Sequence, residues 1–223
     1  MKRIIKKAAV IVLLSFTMVT AALPVSSSKE VSASSGYSGK IFRHWCKLRT
    51  RKSKSSKTIM KLKVGTKVTV LSTSGSWRKV RVKGKTGYVL KKYVYINTKA
   101  PKLSGSTSNK GKTVASFAKR FVGNPYRWGG TNLNTGADCS GFVNSVYKSF
   151  GYRLPRTSSS LRRAGRKVSY SKKQPGDIIC YSGHVAIYIG NNKIVHASSR
   201  KTGIKISPKA NYRKVVAVRR IVK

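Results

Sequence analysis

The stretch Gly136-Ala137-Asp138-Cys139-Ser140-Gly141-Phe142-Val143 places a cysteine directly before an apolar pattern of helical period. The apolar residues of this pattern fall on one helix face: Phe142, Val143, Val146, Tyr147 and Phe150. Gly151 follows as the expected helix end, and Asp138 or Cys139 is the expected N-cap. Unpaired backbone N–H groups and the positive end of the helix dipole favour a thiolate at such a position. The stretch therefore predicts a helix that begins with a nucleophilic cysteine of low pKa.

A nucleophilic cysteine needs a base, and two histidines follow in one predicted β-hairpin. His184 and His196 lie in alternating apolar runs that Gly190-Asn191-Asn192 joins. A two-residue loop with both asparagines at its tip pairs Ile187 with His196 and puts the histidines on opposite faces. A three-residue loop pairs Ala186 with His196 and puts both histidines on one face, where one imidazole orients the other. The sequence is compatible with either loop.

The hydrophobic pattern changes its period along residues 113–223. Apolar residues at helical spacing run from Val114 to Phe121, and Thr157 is a candidate cap for a second short helix. Five later segments alternate with a period of two: 177–181, 184–189, 193–197, 203–206 and 215–221. Helices followed by an antiparallel sheet predict an α+β domain in which the cysteine helix packs against the sheet.

Residues 41–96 read as short strands separated by turns, which predicts a small β-barrel. This segment resembles the bacterial SH3-type domains found beside cell-wall hydrolases. The matching residues are Lys47-Leu48-Arg49, Val64-Gly65-Thr66-Lys67-Val68, Gly75-Ser76-Trp77 and Gly84-Lys85-Thr86-Gly87-Tyr88-Val89. The resemblance implies a module that binds the wall or gates substrate. His44 has no motif around it and is interpreted as structural or exposed.

Three segments lie outside the two predicted domains. Residues 1–33 carry a basic start, a short apolar run and small residues before a processing site, as in a signal peptide. An uncleaved membrane anchor is the alternative, but the apolar run is short for a bilayer. Residues 34–40 are Ser/Gly-rich and are expected to be disordered, and residues 97–112 are expected to be a linker. We therefore expect a secreted, wall-associated protein with no transmembrane segment after processing.

The charge of the chain is extreme. There are 49 Lys and Arg residues against 3 acidic residues, a formal net charge of +46. Beyond residue 33 the acids are Asp138 and Asp177. Such a field attracts polyanions and is screened by salt. Outside a cell the polyanions at hand are anionic wall polymers of the teichoic type and anionic lipid, so wall polymers are the expected partners and nucleic acid is not.

The three cysteines cannot all pair, so a secreted chain keeps at least one free thiol. Cys139 is the natural candidate for that thiol. Cys180 lies in an apolar run and is most simply a small buried residue, although a bridge between Cys46 and Cys180 is an alternative. No metal-ligand spacing is present, and cysteine chemistry at Cys139 requires no cofactor.

Several segments of residues 113–221 resemble the signature boxes of the NlpC/P60 family of bacterial cell-wall cysteine peptidases. They are Asp138-Cys139-Ser140-Gly141-Phe142-Val143, Gly183-His184-Val185-Ala186-Ile187-Tyr188, Val195-His196-Ala197, Pro125-Tyr126-Arg127-Trp128-Gly129-Gly130, Leu154-Pro155-Arg156-Thr157-Ser158 and Gln174-Pro175-Gly176-Asp177. The resemblance implies a papain-like α+β fold. It also implies hydrolysis of the bond between D-glutamate and the diamino acid, either meso-diaminopimelate or lysine, in peptidoglycan stem peptides.

The resemblance also implies roles for individual residues. Cys139 is the implied nucleophile, His184 the general base and His196 the residue that orients the base. Tyr126 is expected to line the cleft near the oxyanion, with packing in the loop as the alternative. Asp177, after a Pro-Gly pair, is more simply a turn residue than a catalytic one.

Asp138 and Ser140 match positions that, in some members of the family, bind the free amine of an N-terminal L-alanine. A helix N-cap that accepts a hydrogen bond from Gly141 is an equally good interpretation of Asp138. One carboxylate is able to do both.

Two other functions compete with the endopeptidase. The same Cys-His site is compatible with an amidase that cleaves the bond between sugar and peptide, or with an acyltransferase. A basic protein that only binds the wall or nucleic acid accounts for the charge, but gives no reason for Cys139, His184 and His196.

Overall fold

The computed structural model describes residues 36–43 and 46–223. The predicted signal peptide, the start of the segment 34–40 and His44 lie outside these residues. In the part of the chain that is described, no helix is both long and apolar enough to cross a bilayer.

The first domain is a seven-stranded antiparallel sheet in the order β3-β2-β6-β5-β4-β1-β7. Its strands are β1 Tyr37–Ile41, β2 Cys46–Arg49, β3 Thr58–Leu62, β4 Lys67–Ser74, β5 Trp77–Val82, β6 Lys85–Leu90 and β7 Val94–Ile96. Buried and exposed positions alternate along β5, where Val80 and Val82 are buried and Lys79 and Arg81 are exposed. This alternation gives the small SH3-like domain its core, as the period-two pattern predicts.

The first strand lies where disorder was predicted. β1 pairs with both β4 and β7, so the residues of 34–40 that the structure describes include four strand residues. The Ser/Gly composition has a packing reason, because a Cβ on Gly39 would lie 2.9 Å from Val94 Cγ1 and 3.0 Å from Tyr95 O. A small residue therefore lets the strand fit between its two neighbours, and the prediction of disorder is wrong from Tyr37 onward.

The second domain is α+β, as predicted. Its helices are α1 Thr107–Lys119, α2 Cys139–Lys148 and α3 Ser158–Leu161. A short pair of strands, β8 Thr131–Asn132 and β9 Gly136–Ala137, precedes α2. The main sheet is six-stranded and antiparallel, in the order β10-β15-β11-β12-β13-β14. Its strands are β10 Arg166–Val168, β11 Ile178–Tyr181, β12 His184–Gly190, β13 Lys193–Ser199, β14 Gly203–Ser207 and β15 Val215–Arg220.

Helix α1 begins inside the predicted linker 97–112. Ser106 is its N-cap and accepts a hydrogen bond from the backbone N–H of Asn109. The first turns carry no apolar stripe, so periodicity alone missed them. Gly111 in the second turn allows a close contact, since a Cβ there would lie 2.1 Å from Pro175 O. The glycine thus brings α1 against the chain that leads into β11.

Helix α2 buries the apolar face that the sequence predicts. Phe142, Val143, Val146 and Tyr147 have no exposed surface, and α2 packs against β12 and β13. Burying large side chains of this kind stabilises the fold by roughly 1.5–3 kcal/mol each. This packing fixes the N-terminal end of α2, and Cys139 with it, against the edge of β12.

Candidate active site

Cys139 is the first residue of α2, and its neighbours fix the helix end. Asp138 is the N-cap, and its Oδ1 accepts a hydrogen bond of 2.6 Å from the Gly141 backbone N–H. The thiol is partly exposed. The backbone N–H groups of Val185 and Ser140 point at the sulfur and favour its charged form. Val185 follows His184 in β12, so the strand that carries the predicted base lies against the nucleophile.

The hairpin between β12 and β13 combines the two predicted loops. Asn191 and Asn192 form a two-residue tip with positive φ angles of 48° and 55°. The register shifts between Tyr188 and Gly190. Beyond this shift the strands pair as the three-residue loop predicts, with Ile187 opposite Val195. One bulged residue moves every later side chain to the other face. Both histidines consequently lie on one face of the sheet, the arrangement that the three-residue loop predicts.

The two imidazoles are in direct contact. His184 Nε2 lies 2.7 Å from His196 Nδ1, and the ring centroids are 5.0 Å apart at an interplanar angle of 82°. Both side chains are buried, His184 at 6% exposure and His196 at 1%. A hydrogen bond of this kind holds the first ring at a fixed angle.

Ser207 extends this chain of hydrogen bonds, and sequence reasoning missed it. Its Oγ lies 2.9 Å from His196 Nε2, and the residue is buried at 6% exposure. His196 pairs with Lys205 across β13 and β14, so Ser207 is its diagonal neighbour on the same face. The alternation of faces along β14 could have indicated that Ser207 lies on the same face as His196. This inference requires the register of the pairing between β13 and β14, which the sequence does not give.

One of the two directions that this chain of contacts allows leaves His184 a free base. If His196 Nε2–H donates to Ser207 Oγ, then His196 Nδ1 accepts from His184 Nε2–H. The Nδ1 of His184 then keeps its lone pair. In this tautomer His184 accepts a proton at the nitrogen that faces away from His196.

The electrostatics of the site keep both imidazoles neutral. Burial lowers the pKa of His184 to about 4, and the cation Arg213 adds to the effect. Burial lowers the pKa of His196 to about 3, with further contributions from His184, Lys205 and Arg213. At neutral pH both rings are therefore unprotonated, as a general base must be.

The pKa of Cys139 differs from its prediction. Burial raises it above the ordinary value of a thiol, and this outweighs the backbone N–H groups of Val185 and Ser140. The negative charge of Asp138 raises it further. The prediction of a low pKa from the helix end alone is wrong for the free protein, because desolvation by the packed cleft is the larger effect. The resting pair is a neutral thiol beside a neutral imidazole.

Asp138 is surrounded by donors. Its two oxygens accept from Gly141 N–H, from Gly129 N–H at 3.0 Å and from Ser140 Oγ at 3.2 Å. Arg156 adds two further contacts, of 3.1 Å to Oδ1 and 2.7 Å to Oδ2. Burial alone raises the pKa of Asp138, but the hydrogen bonds from Arg156 and Gly141 outweigh it and the net pKa lies below the ordinary value. The carboxylate is therefore ionised and already paired.

Arg156 also links Ser140 to this group, since its Nη1 lies 2.8 Å from Ser140 Oγ. The arginine belongs to a box that carried the family resemblance, but sequence reasoning gave it no role. Its side chain is 42% exposed, so the pair faces the solvent at the mouth of the site.

Two tyrosines lie near the nucleophile. Burial raises the pKa of Tyr126, and charge interactions with Cys139 and Asp138 raise it further. Its backbone forms a bridge with Ala137, next to the helix start. The ring of Tyr212, which sequence reasoning missed, lies 5.6 Å from the ring of His196. The tyrosines give the cleft aromatic walls.

The other predicted residues take structural places. Cys46 and Cys180 are free and buried, so the alternative of a bridge between them is wrong. Asp177 accepts from the Gln174 backbone N–H at 2.8 Å and from Arg220, as expected for a turn residue. Within residues 36–43 and 46–223, no group of three His, Cys, Asp or Glu side chains is placed to hold a metal ion.

The α+β fold of the second domain, with Cys139 at the start of α2, agrees with the fold class that the sequence predicts. Residues 123–220 match the NlpC/P60 family, and residues 46–95 match the bacterial SH3 domain. Residues 123–220 are thus similar to the NlpC/P60 family, and a segment similar to the bacterial SH3 domain precedes them. The predicted resemblance to these two families is confirmed.

Individual relatives agree with this placement. Over 99 residues, 43% of this chain and 53% of the relative, the chain is 40% identical to a probable endopeptidase NlpC homolog from Haemophilus influenzae. Over 104 residues it is 36% identical to the bifunctional muramidase/DL-endopeptidase CwlT of Bacillus subtilis, covering 43% of this chain and 31% of that one. The chain thus spans about half of the length of the curated relatives it matches, or less.

The structure of NlpC1 from Trichomonas vaginalis has a similar fold. It matches with a TM-score of 0.51 and 21% identity over 84% of this chain and 69% of that chain. This likeness extends across both domains and concerns the fold alone.

Proposed function

We propose that this protein is a secreted peptidoglycan hydrolase, a cysteine endopeptidase that cleaves the bond between D-glutamate and the diamino acid of stem peptides. The observation that carries the proposal is the contact between His184 and His196 in a cleft wall that also holds Cys139. The relative from Bacillus subtilis is named a DL-endopeptidase, which supports the choice of bond.

The reaction begins from the neutral thiol. Nδ1 of His184 takes the proton of Cys139 as the sulfur attacks the carbonyl carbon of the γ-glutamyl bond. The imidazolium formed in this step is held by His196, whose other nitrogen is fixed by Ser207. A raised thiol pKa and a lowered imidazole pKa keep the two groups uncharged until substrate arrives.

The oxyanion of the tetrahedral intermediate needs donors. The backbone N–H of Cys139 at the start of α2 and the hydroxyl of Tyr126 are the groups that we assign to this role. His184 then returns the proton to the departing amine of the diamino acid, and a thioester with D-glutamate remains on Cys139. A water that His184 deprotonates hydrolyses the thioester and restores the thiol.

We assign Asp138 first to the helix cap and to Arg156. Each of its oxygens already accepts from Arg156 and from a backbone N–H. A substrate amine must therefore compete with a guanidinium for this carboxylate. The alternative, in which Asp138 and Ser140 bind the free amine of L-alanine, remains testable with acetylated peptides.

The basic surface and the SH3 domain give the protein its place in the wall. We propose that anionic wall polymers hold it by charge after the leader of residues 1–33 is removed. Binding of this kind weakens when salt is added, because the Debye length is about 8 Å at physiological ionic strength.

Product analysis tests the proposed bond. Defined muropeptides are incubated with the purified protein, with Cys139→Ala as the control, and the products are identified by mass spectrometry. We expect one fragment that ends in D-glutamate and one that begins with the diamino acid. Release of intact stem peptides from the sugar would show an amidase instead, and unchanged peptides would support a protein that only binds.

A further inference from the structure

A second cavity lies between the SH3 domain and the peptidase domain. Its volume is about 460 Å³, which is in the range of small-molecule sites. Cys139, His184 and His196 are not among the residues that line it. We call it the seam pocket, and the residues that matter for its chemistry are Phe42, Lys91, Lys92 and Tyr95 from the first domain and Arg200 and Lys201 from the second.

Hydrogen bonds between the domains fix the walls of the seam pocket. The Asn134 side chain accepts from the Ile96 N–H at 2.7 Å and donates to the Ile96 carbonyl at 2.9 Å. Arg78 Nη2 donates to Asn124 Oδ1 at 2.5 Å. Each of these bonds joins a residue of one domain to a residue of the other, so they hold the two walls of the pocket against each other.

The pocket is positive and nothing in the described chain neutralises it. Lys91, Lys92, Arg200 and Lys201 line it, whereas the two described aspartates are already paired with Arg156 and Arg220. Cations gathered in this way repel one another across a fixed cavity.

Arg78 adds a buried charge behind the pocket wall. Its side chain has no exposed surface, and its guanidinium donates to the carbonyls of Lys91 and Val94 and to the Asn124 amide, which are all neutral acceptors. Its Nε finds no partner among the described residues. Burial lowers the pKa of Lys91, and the charge of Arg78 lowers it further. A buried cation without a counter-ion is costly, and an anion in the pocket offsets that cost.

An aromatic pair stands at the edge of the pocket. The rings of Phe42 and Tyr95 stack at 3.8 Å with an interplanar angle of 21°, and the two residues are 37% and 38% exposed. An exposed ring face of this kind packs against the carbon atoms of a polyol or a sugar.

We propose that the seam pocket binds a phosphodiester segment of an anionic polyol or sugar polymer. Its cations surround the phosphate oxygens, and the stacked rings contact the carbon chain between phosphates. Four cations around one cavity favour a segment with more than one negative charge over a single carboxylate. The inference extends the wall-binding part of the proposed function and is independent of which bond Cys139 cleaves.

Calorimetry with a glycerol phosphate oligomer of defined length tests the proposal on the full chain. We expect Lys91→Gln with Lys201→Gln to weaken binding by about tenfold or more, since both lose a charged donor. The matched control is Lys79→Gln with Lys85→Gln, which removes the same charge from exposed positions of β5 and β6. The control pair should lose less than about twofold. Lys91→Arg keeps the charge and should keep the affinity.

Three outcomes would contradict the proposal that the seam pocket binds a phosphodiester segment. One is equal weakening by the two pairs, which would show attraction to net charge only. Another is equal affinity for a polygalacturonate of the same charge, which would show that phosphate is not distinguished. The third is failure of the unaltered protein to bind the oligomer.

Hydrolysis is measured beside binding to keep the two proposals apart. With a soluble muropeptide that carries no polymer, the variants at these four lysines should cleave at the unaltered rate, because none of the four is among the residues assigned to catalysis. Normal binding without any cleavage would count against the endopeptidase alone. Normal cleavage without oligomer binding would count against the seam pocket alone.

Discussion

The surroundings of Asp138 and of Asp177 are alike in chemistry and different in place. Each carboxylate is joined to an arginine with a shortest distance of 2.7 Å, and each also accepts a hydrogen bond from a backbone N–H. The pair at Asp138 opens to solvent, with a side chain of Arg156 that is 42% exposed, whereas that of Arg220 is 10% exposed. The first pair stands beside the nucleophile and the second holds the start of β11.

The difference teaches that a surviving acid in a basic chain does not by itself mark a catalytic residue. Both aspartates are retained where a local fold needs a fixed negative charge. The two regions differ in their neighbours. Asp138 lies beside Cys139 and near the strand that carries His184, the residues proposed to react, whereas Asp177 has no such neighbours among the described residues. Variants at the two regions should separate a region that reacts from a region that only folds.

The largest effect is expected at the nucleophile and its base. Cys139→Ala and His184→Ala should each lower the turnover of stem peptides by at least about 10³-fold, because no other group supplies a sulfur or takes its proton. Turnover is measured on a purified muropeptide, and circular dichroism checks that the variants fold. If either variant turned over substrate as fast as the unaltered protein, the thiol mechanism would be wrong. The chemical difference between the regions of Asp138 and Asp177 would then be lost as well.

Asp177→Asn should act on stability instead of chemistry. Removing one partner of a buried ion pair costs about 3–5 kcal/mol of unfolding free energy, because the Arg220 charge is left uncompensated. The measurement is urea unfolding, with turnover expressed per folded molecule. Asp177→Asn combined with Arg220→Met is the control and should recover part of the loss. A large fall in turnover with unchanged stability would show that this region is also part of the site.

The orienting role of His196 predicts a graded series. His196→Asn should keep partial activity, since an amide still holds the His184 ring by a hydrogen bond, and His196→Ala should lose about tenfold more. Ser207→Ala leaves the imidazole pair in place and should lose less than either. The readout is kcat on the soluble peptide. Equal activity in the Asn and Ala variants would contradict the relay.

The buried histidines predict a loss of stability in mild acid. The unfolded chain takes up protons near the ordinary pKa of 6.5, whereas folded His184 does so only near 4. The contribution is therefore complete above pH 6.5 and is lost as the pH falls through this window. Thermal unfolding at pH 7, 5.5 and 4.5 measures it. His184→Asn should flatten the decline between pH 6.5 and 4.5, and a decline of the same slope in that variant would show another origin.

The smallest effect is expected for Asp138→Asn. The amide keeps a capping oxygen, so thermal stability should change little, whereas Asp138→Ala should lose about 0.5–2 kcal/mol. Removing the negative charge should lower the pKa of Cys139, so alkylation by iodoacetamide should accelerate at neutral pH.

Substrate discrimination completes the test of Asp138. If the carboxylate binds an amine, Asp138→Asn should slow cleavage of free-amine peptides while acetylated peptides react as before. If it is a cap that holds Arg156, the ratio of the two rates should stay constant. A constant ratio of these two cleavage rates together with faster alkylation would show that both Asp138–Arg156 and Asp177–Arg220 are structural ion pairs. Asp138 would then differ from Asp177 only in that its charge raises the pKa of the Cys139 thiol.

The sequence by itself determined the two domains and the helix that begins at Cys139, and it predicted His184 as the base. These follow from local rules: apolar spacing along α2, an N-cap at Asp138 and alternation along β12 and β13. The family boxes then predicted the class of enzyme, and the match of residues 123–220 to the NlpC/P60 family agrees with that prediction. The residue roles stay predictions that the variants above test.

Tertiary structure alone decided the register of the hairpin, the contacts of Asp138 with Gly129 and Arg156, and the pKa of the thiol. One bulge near Tyr188 puts both histidines on one face, and a single sequence contains no local signal for it. Arg156 and Ser207 reach the site from distant segments, so their roles exist only once strands and loops are packed. The thiol pKa rises because the cleft removes water, and desolvation is a property of everything that surrounds a residue and not of its neighbours in the chain.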